Sequence, residues 1–387
     1  MSVLYRRRFL QALIGGAFAL PAVLRSQQIQ TGPESKQPTD STEAPKPATG
    51  HKAADRKKKG KENDVPPALT LLKPPALIAG STIALVAPAS GVSRAEAVDA
   101  AASLRNLGFN VKMGEYLTAG FGYLAAEDSK RANEFMKFVR DPEVNCIMAV
   151  RGGYGVMRIL PLLDFAAIRA NPKVIMGYSD ITALVNPIFQ RAGLVAFHGP
   201  VATSTFDPYT LDSFRRTVMN RAPAGQFEQS NEFQGSVFSE ARAATIVPGK
   251  AEGRLVGGNL SLVTALMGTP YEIDTAGKIL FIEEVEEPPY HIDRILTQLA
   301  LGGKLQSAAG VAIGRFNKCE GPMRSGEFRM SLSIEQIVRG ILEPLKIPTV
   351  YGLSIGHIKS KLTVPVGALA TLDASAKTIR IDEAAVS

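Results

Sequence analysis

Between residues 82 and 184, short apolar, β-rich runs alternate with segments of helical spacing, and this alternation restricts the fold more than any other feature of the chain. Residues 82–87 form an apolar run that reads as a buried strand and ends in the loop Pro88-Ala89-Ser90-Gly91. Helical spacing over 95–107 stops at Gly108, and 110–113 is extended again. A helix over 130–140, a strand over 145–150, a helix from about 156, a strand over 173–177 and a helix from about 181 follow. Parallel neighbours cannot be joined by a tight turn and use helical crossovers, so this rhythm predicts a parallel α/β layer.

After about residue 200 the rhythm changes. Residues 224–248 read as irregular. Short strands follow at 253–256, 279–283, 311–315, 362–365 and 370–372, with helices near 260–267, 292–301 and 334–345. This is the pattern of a second, α+β domain. The expected divisions are a leader over 1–25, a linker over 26–70, an N-terminal α/β domain over 71–205, a connection over 206–250 and a C-terminal domain over 251–387.

The leader begins Tyr5-Arg6-Arg7-Arg8-Phe9-Leu10 and continues into an apolar run from Ala12 to Leu24. That run is short for a membrane-spanning helix but suits the hydrophobic region of a signal peptide behind a positive start. Paired arginines before Phe-Leu resemble a twin-arginine export signal, so the expected location is periplasmic, with a membrane tether if the leader is retained. The linker is rich in Gln, Thr, Pro, Glu, Ser and Lys, has almost no core formers, and cannot offset its chain entropy by burial.

The formal charge of +8 invites a nucleic-acid reading, but its distribution removes it. Twelve basic and six acidic residues lie up to Asp64, which leaves 32 basic against 30 acidic for the rest. A nearly neutral body has no polyanion surface. Two cysteines, Cys146 and Cys319, and four histidines give no disulfide framework or metal-ligand cluster, so neither a metal nor another cofactor is expected.

Three local arrangements can carry chemistry. Gly177-Tyr178-Ser179-Asp180 lies between a strand and a helix, where a serine presents its Oγ at the sheet end and the next N–H can stabilise an oxyanion. The second glycine of a Gly-x-Ser-x-Gly elbow is missing, and Ser179 as a simple helix cap stays open. Arg151-Gly152-Gly153-Tyr154-Gly155 ends another strand, where glycines admit a ligand to the backbone and Arg151 is available to a carboxylate; a plain tight turn is the alternative. It is not a Gly-x-Gly-x-x-Gly fingerprint, which disfavours a dinucleotide site. Glu283, at the end of a hydrophobic strand, and His357, in a loop after Gly356, complete an order of nucleophile, orienting acid and base. His198, in Phe197-His198-Gly199-Pro200, is the rival base or a satisfied histidine at a domain junction.

Taken together, Ala87-Pro88-Ala89-Ser90, Gly122-Tyr123-Leu124-Ala125 with Asp128 and Arg131, Arg151-Gly152-Gly153-Tyr154-Gly155, Gly177-Tyr178-Ser179-Asp180, His198-Gly199-Pro200, Gly257-Gly258-Asn259-Leu260, Phe281-Ile282-Glu283-Glu284 and Gly356-His357 resemble, in order, the LD-carboxypeptidase family of serine peptidases. That family also contains hydrolases of the peptide-nucleotide antibiotic microcin C. The resemblance runs from about residue 77 to the C-terminus. It implies an α/β N-terminal domain, a C-terminal domain with a small barrel-like sheet, a metal-free mechanism and a homodimer. It also implies Ser179 as nucleophile, His357 as base, Glu283 as its orienting partner, and the Asp180 and Gly153 N–H groups as the oxyanion hole. Arg151 and Tyr154 are the substrate-binding candidates. The implied substrates are peptidoglycan-derived tetrapeptides, which lose a terminal D-alanine. The alternatives are a microcin-type amide hydrolase and a non-catalytic wall-binding protein on the same fold. The basic stretch Ile358-Lys359-Ser360-Lys361 departs from the smaller residues usual in the family.

Overall fold

The computed structural model describes residues 70–230, 243–320 and 331–387. The expected export leader, nearly all of the linker, and residues 231–242 of the expected connection lie outside the described residues. Residues Pro66–Ser387 group as one compact unit. Among the described residues no helix is long and apolar enough to cross a membrane.

Two mixed sheets with helices around them make a two-domain α/β fold. The first half contains β1 (Thr82–Val86), α1 (Arg94–Asn106), β2 (Asn110–Met113), α2 (Asp128–Arg140), β3 (Cys146–Ala149), α3 (Val156–Ile159), α4 (Phe165–Ala170), β4 (Val174–Gly177), α5 (Thr182–Pro187), β5 (Ala196–His198) and α6 (Pro208–Val218). The strands β3 and β4 are buried along their whole length and β1 nearly so, as central parallel strands covered on both faces must be. The edge strand β2 is half exposed. Ser93 starts α1 with a capping box, accepting from the Glu96 N–H while the Glu96 carboxylate accepts from the Ser93 N–H.

This first sheet has the order β12-β5-β4-β3-β1-β2. Strands β1 to β5 are parallel, and the order reverses at β1, with β2 on one side and β3 on the other. Such a reversal opens a crevice at the carboxyl ends of β1 and β3, where open α/β sheets bind ligands.

The second half contains β6 (Gly225–Phe227), β7 (Ala244–Val247), β8 (Lys250–Asn259), α7 (Leu260–Ala265), β9 (Ile279–Val285), α8 (Pro289–Leu301), α9 (Lys304–Ser307), β10 (Gly310–Asn317), α10 (Ile334–Leu342), β11 (Thr349–Tyr351), β12 (Val364–Val366), β13 (Leu369–Asp373) and β14 (Thr378–Ile381). Among the described residues its sheet has eight strands, in the order β6-β14-β13-β8-β9-β10-β11-β7, more than the small sheet that the resemblance implies. Its four central strands are parallel, and its flanking pairs are antiparallel.

Two sequence expectations need correction. The strand expected at 362–365 belongs to the first sheet, not the second: β12 pairs antiparallel with β5, Val364 opposite His198, so that sheet is not purely parallel. The stretch 224–248 is not wholly irregular, because β6 and β7 within it form the two edges of the second sheet.

These connections position the site. The loop between β11 and β12 leaves one sheet and enters the other, and His357 lies within it. The segment just after His357 is clamped to α6: the Lys361 N–H donates to Thr210 Oγ1 at 3.0 Å, the Thr363 N–H to Ser213 Oγ at 2.8 Å, and Ser360 Oγ to Asp207 at 2.7 Å. A second bolt runs from α5 to β8. The Asn186 amide satisfies both the N–H and the C=O of Gly257, at 3.0 and 2.8 Å, and Thr182 Oγ1 accepts the Asn259 N–H at 2.9 Å.

Candidate active site

Ser179 lies two residues beyond the end of β4, with φ +65, a left-handed conformation that a non-glycine residue adopts only where its surroundings force it. The chain then enters a 3-10 turn, Ser179–Ile181, and α5. The serine is therefore presented from a strained strand-to-helix turn. Gly152 packs directly against it: a Cβ there would stand 2.7 Å from Ser179 Cβ and 3.3 Å from the Asp180 nitrogen. Only glycine lets the loop after β3 come this close.

Asp180 locks the two loops together. Its carboxylate accepts the Val156 N–H at 2.8 Å at the start of α3, across from the residue next to the serine. Burial pushes the Asp180 carboxyl up to about 6, against the opposing pull of that N–H and of Arg131. The Arg131 side chain is fully buried and donates to the carbonyls of Pro88, Ala126 (3.0 Å) and Gly155 (3.0 Å), with Asp128 as its ion partner at 2.5 Å. It thus ties the loops after β1 and β3 and the segment before α2 to one cation. Ser90 adds a further link, donating to the Tyr123 carbonyl at 2.6 Å and accepting the Tyr154 N–H at 3.3 Å.

Glu283, at the carboxyl end of β9, is completely buried, and its Oε2 lies 2.7 Å from His357 Nδ1. Gly356 permits this contact: at φ +112, a Cβ there would stand 2.5 Å from Glu283 Oε2. Burial pushes the Glu283 carboxyl up, but the charge of His357 and the ring nitrogens of His198 and His357 that face the carboxylate bring it down to about 2. That pairing is strongest when His357 is an imidazolium. The adjacent Glu284 carboxylate is held by Asn259 Nδ2 (2.7 Å) and by the Ser261 and Val285 N–H groups (2.8 and 2.9 Å), which fixes the strand end.

Ser179 and His357 line one cavity of about 350 Å3, together with Tyr178, Gly152, Gly153, Arg151 and Glu96 among others. The Tyr178 ring packs edge-on against His357, with centroids 4.8 Å apart. The structure therefore brings together Ser179, Glu283, His357, Asp180, Gly153 and Arg151. Tyr154 stands outside that cavity, exposed, with its ring 5.3 Å from Tyr123. His198 is buried behind Glu283 rather than lining the cavity, with Nε2 3.7 Å from Oε1. The positioning roles of Arg131, Ser90 and Asn186 escaped the sequence reading. An arginine set among the apolar positions of α2 was the one available signal. No cluster of three or more His, Cys, Asp or Glu among the described residues could hold a metal ion.

A strained serine, a histidine in the same cavity and a buried carboxylate holding that histidine supply the groups needed for acyl transfer. Comparison with known proteins agrees with a peptidase. Family models described as the LD-carboxypeptidase N-terminal and C-terminal domains match residues 83–199 and 252–372. A relative in Bacillus subtilis named "Probable murein peptide carboxypeptidase" is 42% identical over 81% of this chain and 95% of its own length. Among solved structures, a muramoyltetrapeptide carboxypeptidase from Oxalobacter formigenes has a TM-score of 0.66 at 30% identity, covering 78% of this chain and 98% of that one. The microcin self-immunity protein MccF in complex with glutamyl sulfamoyl guanosine has a TM-score of 0.72 at 27% identity, covering 82% and 100%. The chain belongs to the LD-carboxypeptidase family.

Proposed function

We propose that this protein is a serine LD-carboxypeptidase that removes the terminal D-alanine from peptidoglycan-derived tetrapeptides, acting outside the cytoplasm after export on its arginine-paired leader. The observation that carries the reading is the buried Glu283 carboxylate, 2.7 Å from His357 Nδ1, with His357 and Ser179 facing one cavity. With Nδ1–H donated to Glu283, His357 Nε2 is free to act as base.

In this reading His357 takes the Ser179 hydroxyl proton as Oγ attacks the carbonyl before D-alanine. The tetrahedral oxyanion is held by the Asp180 and Gly153 N–H groups. The C–N bond then breaks as His357 passes its proton to the departing amine. Water, deprotonated by His357, attacks the acyl-enzyme and releases the tripeptide, and the proton returns to Ser179. Arg151, exposed at the cavity edge, receives the terminal carboxylate.

The test is purified protein with a defined LD-tetrapeptide, scored for free D-alanine, beside an aminoacyl sulfamoyl nucleoside as competitor. D-alanine release supports the reading. Cleavage of the nucleoside conjugate alone would place the protein with the immunity hydrolases instead, a reading favoured by the likeness to MccF.

A further inference from the structure

Glu283 has two oxygens, and the triad accounts for one. Oε2 is taken by His357, while Oε1 is buried and has no hydrogen-bond partner. Facing it is His198 Nε2, also buried and also without a partner, 3.7 Å away. Two orphaned polar atoms of complementary kind, both shut off from water, are a costly arrangement unless they serve each other. A shift of about 0.8 Å would bring them to the usual N–H···O distance.

His198 is held for this role. It ends β5, where Val364 of β12 pairs with it, at the seam between the two sheets. Its ring lies edge-on to Phe281, two residues before Glu283 on the same strand, with centroids 5.3 Å apart, and to Tyr178 at 6.2 Å. Gly258 makes room: at φ +139, a Cβ there would sit 3.0 Å from His198 Cδ2. Such a ring cannot reach the cavity as a base, but it can fix the carboxylate.

We propose that His198 is a positioning residue of the triad, a neutral imidazole whose Nε2–H donates to Glu283 Oε1 and holds the carboxylate ionised and aimed at His357. This rests on the proposed reading of Ser179, Glu283 and His357. Without the donor, the buried Glu283 charge is less stabilised. The carboxylate then turns more of its charge on His357 and binds the His357 proton more tightly, which moves loss of the free base to higher pH. The other ionisable groups near the pair are Glu284, held by its own three donors, the Tyr178 phenol, Lys361 4.8 Å over the Tyr178 ring, Arg151, the Cys319 thiol, and the exposed Glu286–Lys318 ion pair. His198→Phe or His198→Gln alters none of these.

The experiment measures kcat and KM for tetrapeptide hydrolysis from about pH 5 to about pH 9 in wild type, His198→Phe, His198→Gln and Ser179→Ala. His198→Phe should lower kcat by about tenfold to a hundredfold, the range of one hydrogen bond to a charged group, with KM nearly unchanged and the acid limb moved upward. His198→Gln, whose amide nitrogen reaches the same place, should restore most of both. Wild-type rates and limb in His198→Phe, or equal losses in both variants with an unmoved limb, would overturn the proposal. A second measurement needs neither turnover nor the phenylalanine variant. The chain has four histidines, so nitrogen-15 NMR of labelled Ser179→Ala protein can identify His198 by its loss in Ser179→Ala/His198→Gln. A protonated Nε2 at neutral pH supports the proposal, and an unprotonated Nε2 overturns it. Turnover surviving Ser179→Ala would sink the triad reading itself, while the NMR result still decides whether His198 donates to Glu283.

Discussion

Replacing Asp180 by Asn should make the protein more stable at neutral pH and less active. The Asp180 carboxyl is 2% exposed, and its environment raises it from the usual 3.8 to about 6. A group raised in the folded state favours folding through its protonated form. That contribution is present in full below the unfolded value and is lost as pH rises through the folded one. Above about pH 7 the folded protein therefore carries an ionised carboxylate at a cost of about 3 kcal/mol. Asn keeps an oxygen to accept the Val156 N–H but cannot ionise. Its advantage should be absent near pH 4 and approach the full value above pH 7, a rise in Tm of about 4 °C for a folded body of this size. Thermal unfolding followed by circular dichroism between those limits measures it. At the same time kcat should fall about tenfold, because the amide holds the loop after β3 less tightly than a charge-assisted bond. A Tm difference that does not change with pH would refute the argument, as would an Asn variant destabilised at pH 8.

Gly356→Ala places a methyl group 2.5 Å from Glu283 Oε2 at φ +112, so it should cost about 1–3 kcal/mol in denaturant unfolding and abolish most D-alanine release. Arg151→Ala should raise KM about tenfold or more while changing kcat little, if Arg151 meets the substrate carboxylate; an unchanged KM would remove that role. Changing Arg6 and Arg7 to Lys should block export, read by fractionation of tagged protein, and unchanged export would reject the twin-arginine signal.

The fold was most legible where a strand is buried on both faces. β1, β3 and β4 are apolar runs, and α1 and α4 carry their caps in sequence, Ser93 with Glu96 for α1 and Asp164 for α4. The strands β5 and β11 are three residues each, too few to show a period. The helix α6 was absorbed into an expected connection, although it clamps the segment after His357. β12 read correctly as a strand, but its partner β5 lies more than 160 residues earlier, a distance that local pattern does not bridge.

At the site, chemistry and resemblance single out Ser179, Glu283 and His357 in the sequence, and in the structure Ser179 and His357 line one cavity with Glu283 2.7 Å from His357 Nδ1. What holds them was not legible. A buried Arg131 satisfying three carbonyls, an Asn186 tying α5 to β8 and a His198 behind the Glu283 carboxylate are polar groups whose surroundings are set only by tertiary packing.

The most direct test of the central claim is the mass of the protein quenched in acid during turnover of a tetrapeptide. The account predicts an adduct equal to the tripeptide acyl group, mapped to the fragment containing Ser179 and absent in Ser179→Ala, which should also lose at least about a thousandfold in kcat. Steady D-alanine release by Ser179→Ala, or an adduct on a different residue, would contradict it.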